Sequence, residues 1–331
     1  MIRRGAVELR GATVVVTGAS SGIGRATARA FAERGANLVL TARDGRALAD
    51  AAKECEQAGG RALAMPAAVA DEEAVRRLAT RAVERFGRID VWVNNAAVIV
   101  FGPFEDTPSE AFRRVIETNL FGEIHGSRAA IERFREQDGG VLINVASLWG
   151  RITSPYVTAY VTSKFAIYAF TECLRQGIQD LEGHRNIHIC TVMPESIDTP
   201  IFHHAANYTG REVRPVPPVV APDRVARRIV RLAERPRRQV IVGGAGHLLN
   251  FAHKITPQRV FVALTPRAFA LTALGREGVP PTDGNLFEPM HDSNRVSLDS
   301  QRSSVGRALR VGAAVAVPAG ATAVAWARRR H

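Results

Sequence analysis

Tyr160 and Lys164 stand four residues apart in Ala159-Tyr160-Val161-Thr162-Ser163-Lys164, and Ser147 precedes the tyrosine by thirteen residues. On a helix, positions i and i+4 share a face, so this spacing sets the lysine ammonium beside the phenol. A neighbouring cation favours phenolate and is expected to lower the tyrosine pKa from its unperturbed value of about 10. Such a tyrosine can give a proton to an alkoxide or take one from an alcohol, the proton half of either direction of a hydride transfer. The Ser147 hydroxyl would hold the substrate oxygen. Tyr-x-x-x-Lys alone fits any amphipathic helix, so its meaning rests on the elements around it.

The first of these elements lies near the N-terminus. Thr13 to Thr17 is a β-branched apolar run suited to a buried parallel strand. Gly18-Ala19-Ser20-Ser21-Gly22-Ile23-Gly24 follows, and Arg25 to Arg34 reads as a helix with Ala26, Ala30 and Phe31 among its apolar positions. A strand, a glycine turn and a helix start together form a dinucleotide-pyrophosphate site. Glycines let the backbone approach closely, and the helix N-terminus offers N–H groups and a partial positive charge.

With these motifs in order, the chain resembles the short-chain dehydrogenase/reductases from about residue 8 to about 245. Thr17-Gly18-Ala19-Ser20-Ser21-Gly22-Ile23-Gly24 is similar to their cofactor motif. Asn94-Asn95-Ala96-Ala97 is similar to their Asn-Asn-Ala-Gly, with Ala97 in place of the glycine. Asn119, Ser147, Tyr160 and Lys164 fall at the catalytic tetrad. The resemblance implies a doubly wound α/β fold with a parallel Rossmann-type sheet of about seven strands. In it Tyr160 is the acid/base, and Lys164 binds the nicotinamide ribose and lowers the tyrosine pKa. Ser147 positions the carbonyl, and Asn119 supports a proton-relay water. Cofactor contacts are then expected from the glycine loop, Asn95, Ala96, Tyr160, Lys164, Pro194, Ile197 and Thr199. A homo-oligomer, dimer or tetramer, is also expected.

At the end of the second strand an acid selects the ribose hydroxyls of NAD, whereas an arginine accommodates the 2′-phosphate of NADP. Thr41-Ala42-Arg43-Asp44 puts Arg43 in place for the phosphate and Asp44 in place to cap the next helix. NADP(H) is therefore favoured, with NAD(H) as the alternative. Two positions depart from the family. The Asp usual near the adenine is replaced by Ala68 or Val69, and Pro-Gly after the sixth strand is Pro194-Glu195. The Glu195 carboxylate either selects a polar substrate or points outward.

Strand and helix patterns alternate along the chain. Strands are expected at 37–41, 61–65, 90–94, 140–145, 187–192 and 239–242. Helices are expected at 46–58, 71–86 with Asp71 as N-cap, 108–126 continuing toward Phe134, and 158–177. Strands separated by helices imply parallel pairing with right-handed crossovers. The 331 residues divide into a catalytic domain (1–250), an apolar extension (251–285) and a linker with a basic tail (286–331).

The substrate pocket is expected outside the carboxyl ends of the strands, with Val98, Trp149, Tyr156 and Phe202 as an apolar lining. Residues 205–222 form a long loop, a candidate lid. His203-His204 has no acid or cysteine at ligand spacing, so no metal is expected. The net charge of +12 is spread as arginine beside glutamate, with no basic run interleaved with aromatics, so nucleic acid is not the expected partner. Three cysteines without metal spacing and the lack of an N-terminal leader pattern fit a cytoplasmic protein. The tail, with Val311, Val315, Val317, Val324, Trp326 and Arg328-Arg329-Arg330, suits at most weak contact with an anionic membrane surface.

Three functions compete: an NADP(H) carbonyl reductase or alcohol dehydrogenase, an NAD-linked dehydrogenase of steroid-like or sugar alcohols, and a nucleotide-sensing module. The intact Ser147, Tyr160 and Lys164 set argues against the last.

Overall fold

The computed structural model describes residues 7–244, 258–292 and 294–298. Strand β1 (Thr13–Thr17) is buried at every position and lies inside a seven-stranded parallel sheet. Beside it lie β2 (Asn37–Thr41) and then β3 (Arg61–Ala64) on one side. On the other lie β4 (Val91–Asn94), β6 (Gly140–Val145), β7 (Ile187–Pro194) and β10 (Gln239–Val242). Strand order thus reverses at β1 and β4, with Thr17 opposite Thr41, Val16 opposite Val93 and Asn94 opposite Asn144. The crevice outside the carboxyl ends of these two strands is where such sheets take ligands.

Helices cover both faces. On one, α1 (Gly22–Ala32), α2 (Gly45–Gln57) and α7 (Pro222–Glu234) bury Phe31, Leu48 and Ile229 against the sheet. On the other, α3 (Glu72–Phe86), α5 (Gly122–Glu136) and α6 (Thr158–Arg175) enclose Leu78, Trp92 and Phe134. Asp44 and Asp71 cap α2 and α3 as expected: Asp44 accepts from the Arg46 and Ala47 amides, and Asp71 from that of Ala74.

The expected continuous helix from residue 108 is interrupted. Helix α4 (Ser109–Ile116) passes through a π-helical turn at Glu117–Phe121 before α5 begins. Helix α7 was not anticipated. Pro222 starts it, and Val225, Ala226, Ile229 and Val230 form its buried stripe behind a run of exposed arginines.

The expected lid at 205–222 is tied down. Short β8 (Ala206–Asn207) pairs with β5 (Val100–Phe101), and β9 (Arg211–Val213) pairs with β11 (Leu274–Glu277). The apolar extension contributes α8 (Gln258–Ala273), whose Phe269 and Ala273 join an apolar cluster with Phe101, Val157 and Tyr160. In the first part of the expected linker Leu286 is fully buried, and residues 284–292 and 294–298 lie along the domain. The basic tail proposed for membrane contact lies outside the described residues. No helix among the described residues is long and apolar enough to cross a membrane.

A buried polar network braces the sheet beneath the crevice. Trp92 Nε1 donates to Asn94 Oδ1 at 2.8 Å, Asn94 Nδ2 donates to Asn144 Oδ1 at 3.0 Å, and Asn144 Nδ2 donates to Thr171 Oγ1 at 3.0 Å. These bonds join β4, β6 and α6, and Asn94 Nδ2 also reaches Ser127 Oγ on α5 at 3.1 Å. Gly126 makes room for this: a Cβ there would fall 2.1 Å from Asn94 Oδ1 and 2.9 Å from Trp92 Nε1. Gly126→Ala is therefore expected to lower stability by about 3 kcal/mol, the upper part of the usual overpacking range, read from urea unfolding midpoints. A change within about 0.5 kcal/mol would mean that the network is not tightly packed.

Candidate active site

The glycine loop sits at the carboxyl end of β1. Gly18 has φ +65°, and a Cβ there would lie 2.8 Å from the Ala96 Cα, so the loop and the end of β4 approach as closely as backbone allows. Gly24 is equally required, since its Cβ would meet the Gly18 carbonyl oxygen at 2.0 Å. Thr17 Oγ1 accepts from the Asn95 and Ala96 amides at 2.9 and 3.1 Å, and Asn95 Nδ2 donates to the Thr17 carbonyl at 2.9 Å. Asn95 thus acts here by bracing the loop. Ser21, the residue before α1, gives no side-chain cap, which leaves the first-turn amides of that helix to other acceptors. Such a cradle fits a dinucleotide pyrophosphate.

Across the crevice, Ser147 follows β6 and Tyr160 and Lys164 lie on α6. All three line one cleft with Gly18, Ser20, Ser21, Gly22, Ile23, Asn95, Ala96, Pro194, Ile197 and Thr199. Ser147 Oγ accepts from the Trp149 amide at 3.1 Å and hydrogen-bonds the Tyr160 phenol. Lys164 Nζ donates to the Val145 carbonyl at 2.8 Å and stands 5.6 Å from the centre of the Tyr160 ring.

The protonation of the pair differs from the expectation. Burial pushes the Tyr160 phenol up to about 12, against the pull of the Ser147 hydrogen bond. Lys164 is itself buried, and burial disfavours its ammonium and so lowers its pKa. The Glu123 carboxylate opposes that lowering, while its own pKa is raised by burial. Glu123 is 5% exposed, and its Oε1 has no hydrogen-bond partner. Sequence reasoning passed over Glu123; its position four residues after Asn119 was the available signal.

Asn119 is in the π-helical turn and fully buried. Its Oδ1 accepts from the Val98 amide at 2.8 Å, and its Nδ2 donates to the Val98 carbonyl at 3.0 Å and to Ser163 Oγ at 3.1 Å. The side chain is spent on holding the loop after β4 against α6, so any support it gives a proton-relay water is positional.

At the substrate end, Val98, Trp149 and Phe202 line the cleft as expected, and Trp149 meets the Tyr160 ring edge-on at 5.9 Å. Tyr156 does not line it. With φ +63° its side chain turns to stack on Phe269 of α8 at 5.9 Å. Glu195 lines the cleft but its carboxyl group faces Gly243, where a Cβ would come within 2.4 Å of both oxygens. His204 is 4% exposed and its Nε2 is 2.7 Å from the Asp292 carbonyl. No group of metal-ligating side chains occurs among the described residues. Arg43 lines the cleft at the end of β2, yet its guanidinium donates to the carbonyls of Asn285, Leu286 (2.9 Å) and Phe287 (3.2 Å). These bonds were invisible in the sequence because they span over 240 residues.

The short chain dehydrogenase family model matches residues 12–208. This chain belongs to that family, as its sheet order and its Ser147, Tyr160 and Lys164 cluster require. It is 32% identical over 329 residues to an uncharacterized oxidoreductase, YxnA, of Bacillus subtilis, covering 97% of this chain and 92% of that one. It is 36% identical over 209 residues to 3beta-hydroxysteroid dehydrogenase 1 of Eggerthella lenta, covering 62% and 78%. Among solved structures it is similar to an alcohol dehydrogenase from Thermococcus sibiricus complexed with 5-hydroxy-NADP. There the TM-score is 0.60 and the identity 28%, covering 70% of this chain and 95% of that one.

The raised phenol pKa is directly measurable. Difference absorbance of phenolate between wild type and Tyr160→Phe, both free of cofactor, should show no Tyr160 ionisation below pH 10. Ionisation near neutrality would restore the lysine-dominated view.

Proposed function

We propose that the protein is an NADP(H)-dependent oxidoreductase that interconverts the carbonyl and alcohol groups of a hydrophobic substrate. The observation that carries this reading is the convergence of Ser147, Tyr160 and Lys164 on the cleft that holds the glycine loop. Bound nicotinamide supplies or accepts the hydride. The Ser147 hydroxyl holds the substrate oxygen, and the Tyr160 phenol gives that oxygen its proton in reduction or takes it in oxidation. A phenol kept protonated by burial is poised for the reductive direction. Lys164 holds positive charge beneath the tyrosine and stabilises the phenolate left after proton transfer. Asn119 and Asn95 keep the two walls of the cleft in place.

The glycine loop residues Gly18 to Gly24 would hold the pyrophosphate, with Asn95 and Ala96 behind it and Pro194, Ile197 and Thr199 near the carboxamide. NADP(H) is supported by the absence of an acid at Thr41 and Ala42 and by two cations, Arg43 and Arg114, on the cleft wall. The Thermococcus sibiricus protein, complexed with an NADP derivative, points the same way. A second reading, an NAD-linked dehydrogenase of steroid-like alcohols, is favoured by the Eggerthella lenta relative and by the apolar Val98, Trp149 and Phe202 lining. A panel of ketones, aldehydes and hydroxysteroids with both cofactors separates the two readings.

Tyr160→Phe should lower turnover roughly 10²–10⁴-fold while cofactor affinity stays near wild type. Wild-type-like turnover would remove Tyr160 from the chemistry. Arg43→Ala should weaken NADPH binding about tenfold or more relative to NADH, since a charge-assisted bond to a phosphate is worth roughly 1.5–3 kcal/mol. Equal losses for both cofactors would assign Arg43 to the C-terminal segment alone.

A further inference from the structure

The segment after β11 returns across the cofactor cleft, and its two halves are held differently. Its root is fixed. Thr282 and Asn207 exchange both backbone hydrogen bonds at 2.8 and 3.0 Å, the Asn285 amide donates to the His204 carbonyl at 2.9 Å, and Leu286 is fully buried. The carbonyls of Asn285, Leu286 and Phe287 hold Arg43, and Arg114 stacks over the Phe287 ring at 5.5 Å.

Beyond Glu288 the contacts become polar and reach the glycine loop, Asp44 and Asp198. The Gly22 amide donates to the Arg295 carbonyl at 2.9 Å, and Arg25 Nη1 donates to the Asn294 carbonyl at 2.6 Å. The side chains of His291 and Asn294 both reach Asp44 Oδ2 at 2.9 Å, and Ser297 Oγ donates to Asp198 Oδ2 at 2.6 Å. Gly22 opens α1, and its amide belongs to the set that a helix N-terminus offers to an anion. A peptide carbonyl of the chain therefore stands where a phosphate oxygen of a dinucleotide would seek its donor. Pro289, Met290 and Asn294 line the same cleft from the outside.

We infer that the stretch carrying His291, Asn294, Arg295 and Ser297 is an intrachain lid over the adenosine-phosphate end of the cleft, and that it must release Gly22 for the dinucleotide to enter or leave. The inference rests on the proposed function, because it takes the cleft as a nicotinamide-dinucleotide site. Three features make the stretch a lid instead of a fixed wall. Its anchor is apolar and buried while its far end is held by hydrogen bonds. One of those tethers, His291, has a side chain 69% exposed. And the donor it occupies is one that the ligand itself needs. Asp44 can lose the lid without harm to α2, since its other oxygen, Oδ1, makes the cap.

The test is stopped-flow NADPH fluorescence on the full-length protein, comparing wild type with the double variant His291→Ala/Asn294→Ala and with Ser297→Ala. In wild type the observed binding rate should reach a plateau as NADPH increases, set by lid opening. The double variant should raise that plateau roughly tenfold, the equivalent of about 1.4 kcal/mol, and release of bound NADPH into excess NADP⁺ should quicken with it. Ser297→Ala should move both rates in the same direction by less, and it decides the matter if the double variant does not fold. Rates that rise linearly with NADPH and coincide in all three proteins would overturn the lid and leave the oxidoreductase reading standing. A wild-type protein that binds neither NADPH nor NADH would overturn that reading, and the lid with it.

Discussion

Everything in this molecule depends on how closely two backbone segments meet at the crevice between β1 and β4. Thr17 receives two amides from the end of β4 through one hydroxyl, and Asn95 returns a side-chain bond to the Thr17 carbonyl. That contact fixes the glycine loop against the Asn95-Ala96 turn with no room for a Cβ at Gly18. The loop thereby directs the start of α1 into the cleft. On the other side, β4 is locked to β6 and α6 by the Asn94, Asn144 and Thr171 chain. The cofactor half and the catalytic half are thus registered to each other by buried amide bonds, which leave few alternative arrangements in a low-dielectric interior.

The same burial sets the chemistry. Tyr160 and Lys164 sit one helical turn apart, as their spacing requires, but the environment disfavours charge on both. The tyrosine is an acid awaiting a partner, and the lysine keeps its charge with help from the Glu123 carboxylate and the Val145 carbonyl. Substrate and cofactor fill the cleft that these groups line. The C-terminal segment closes the far end of that cleft over Arg43 and Gly22, so the site is bounded by residues from both ends of the chain.

Much of this was legible in the sequence, and the reasons for the rest are physical. Strands 13–17, 140–145 and 239–242 match their expected bounds because they are short apolar runs set off by glycine or polar residues. The glycine loop and the Ser147, Tyr160 and Lys164 set were readable because their chemistry depends on local spacing. Helix α7 escaped notice because its four arginines mask the apolar stripe. The π-helical turn at Glu117–Phe121 escaped because a single wide turn barely disturbs a helical pattern. The burial that raises the Tyr160 phenol was not legible because spacing reveals a neighbouring charge but not the desolvation of the group itself. The stretch from residue 286 reads as a linker by composition. Folded, its polar groups are the ones that bind Arg25, Arg43 and Asp44.

The central claim is that the cleft carries out hydride transfer and does more than bind a nucleotide. The most direct test is to supply the protein with NADPH deuterated at the nicotinamide C4, as each of the two stereoisomers, and a hydrophobic ketone it turns over. Mass spectrometry of the alcohol product should find the deuterium on the carbinol carbon with one of the two isomers and not with the other. Tight binding of NADPH with no deuterium in any product across the ketone panel would contradict the account and leave a nucleotide-binding module in its place.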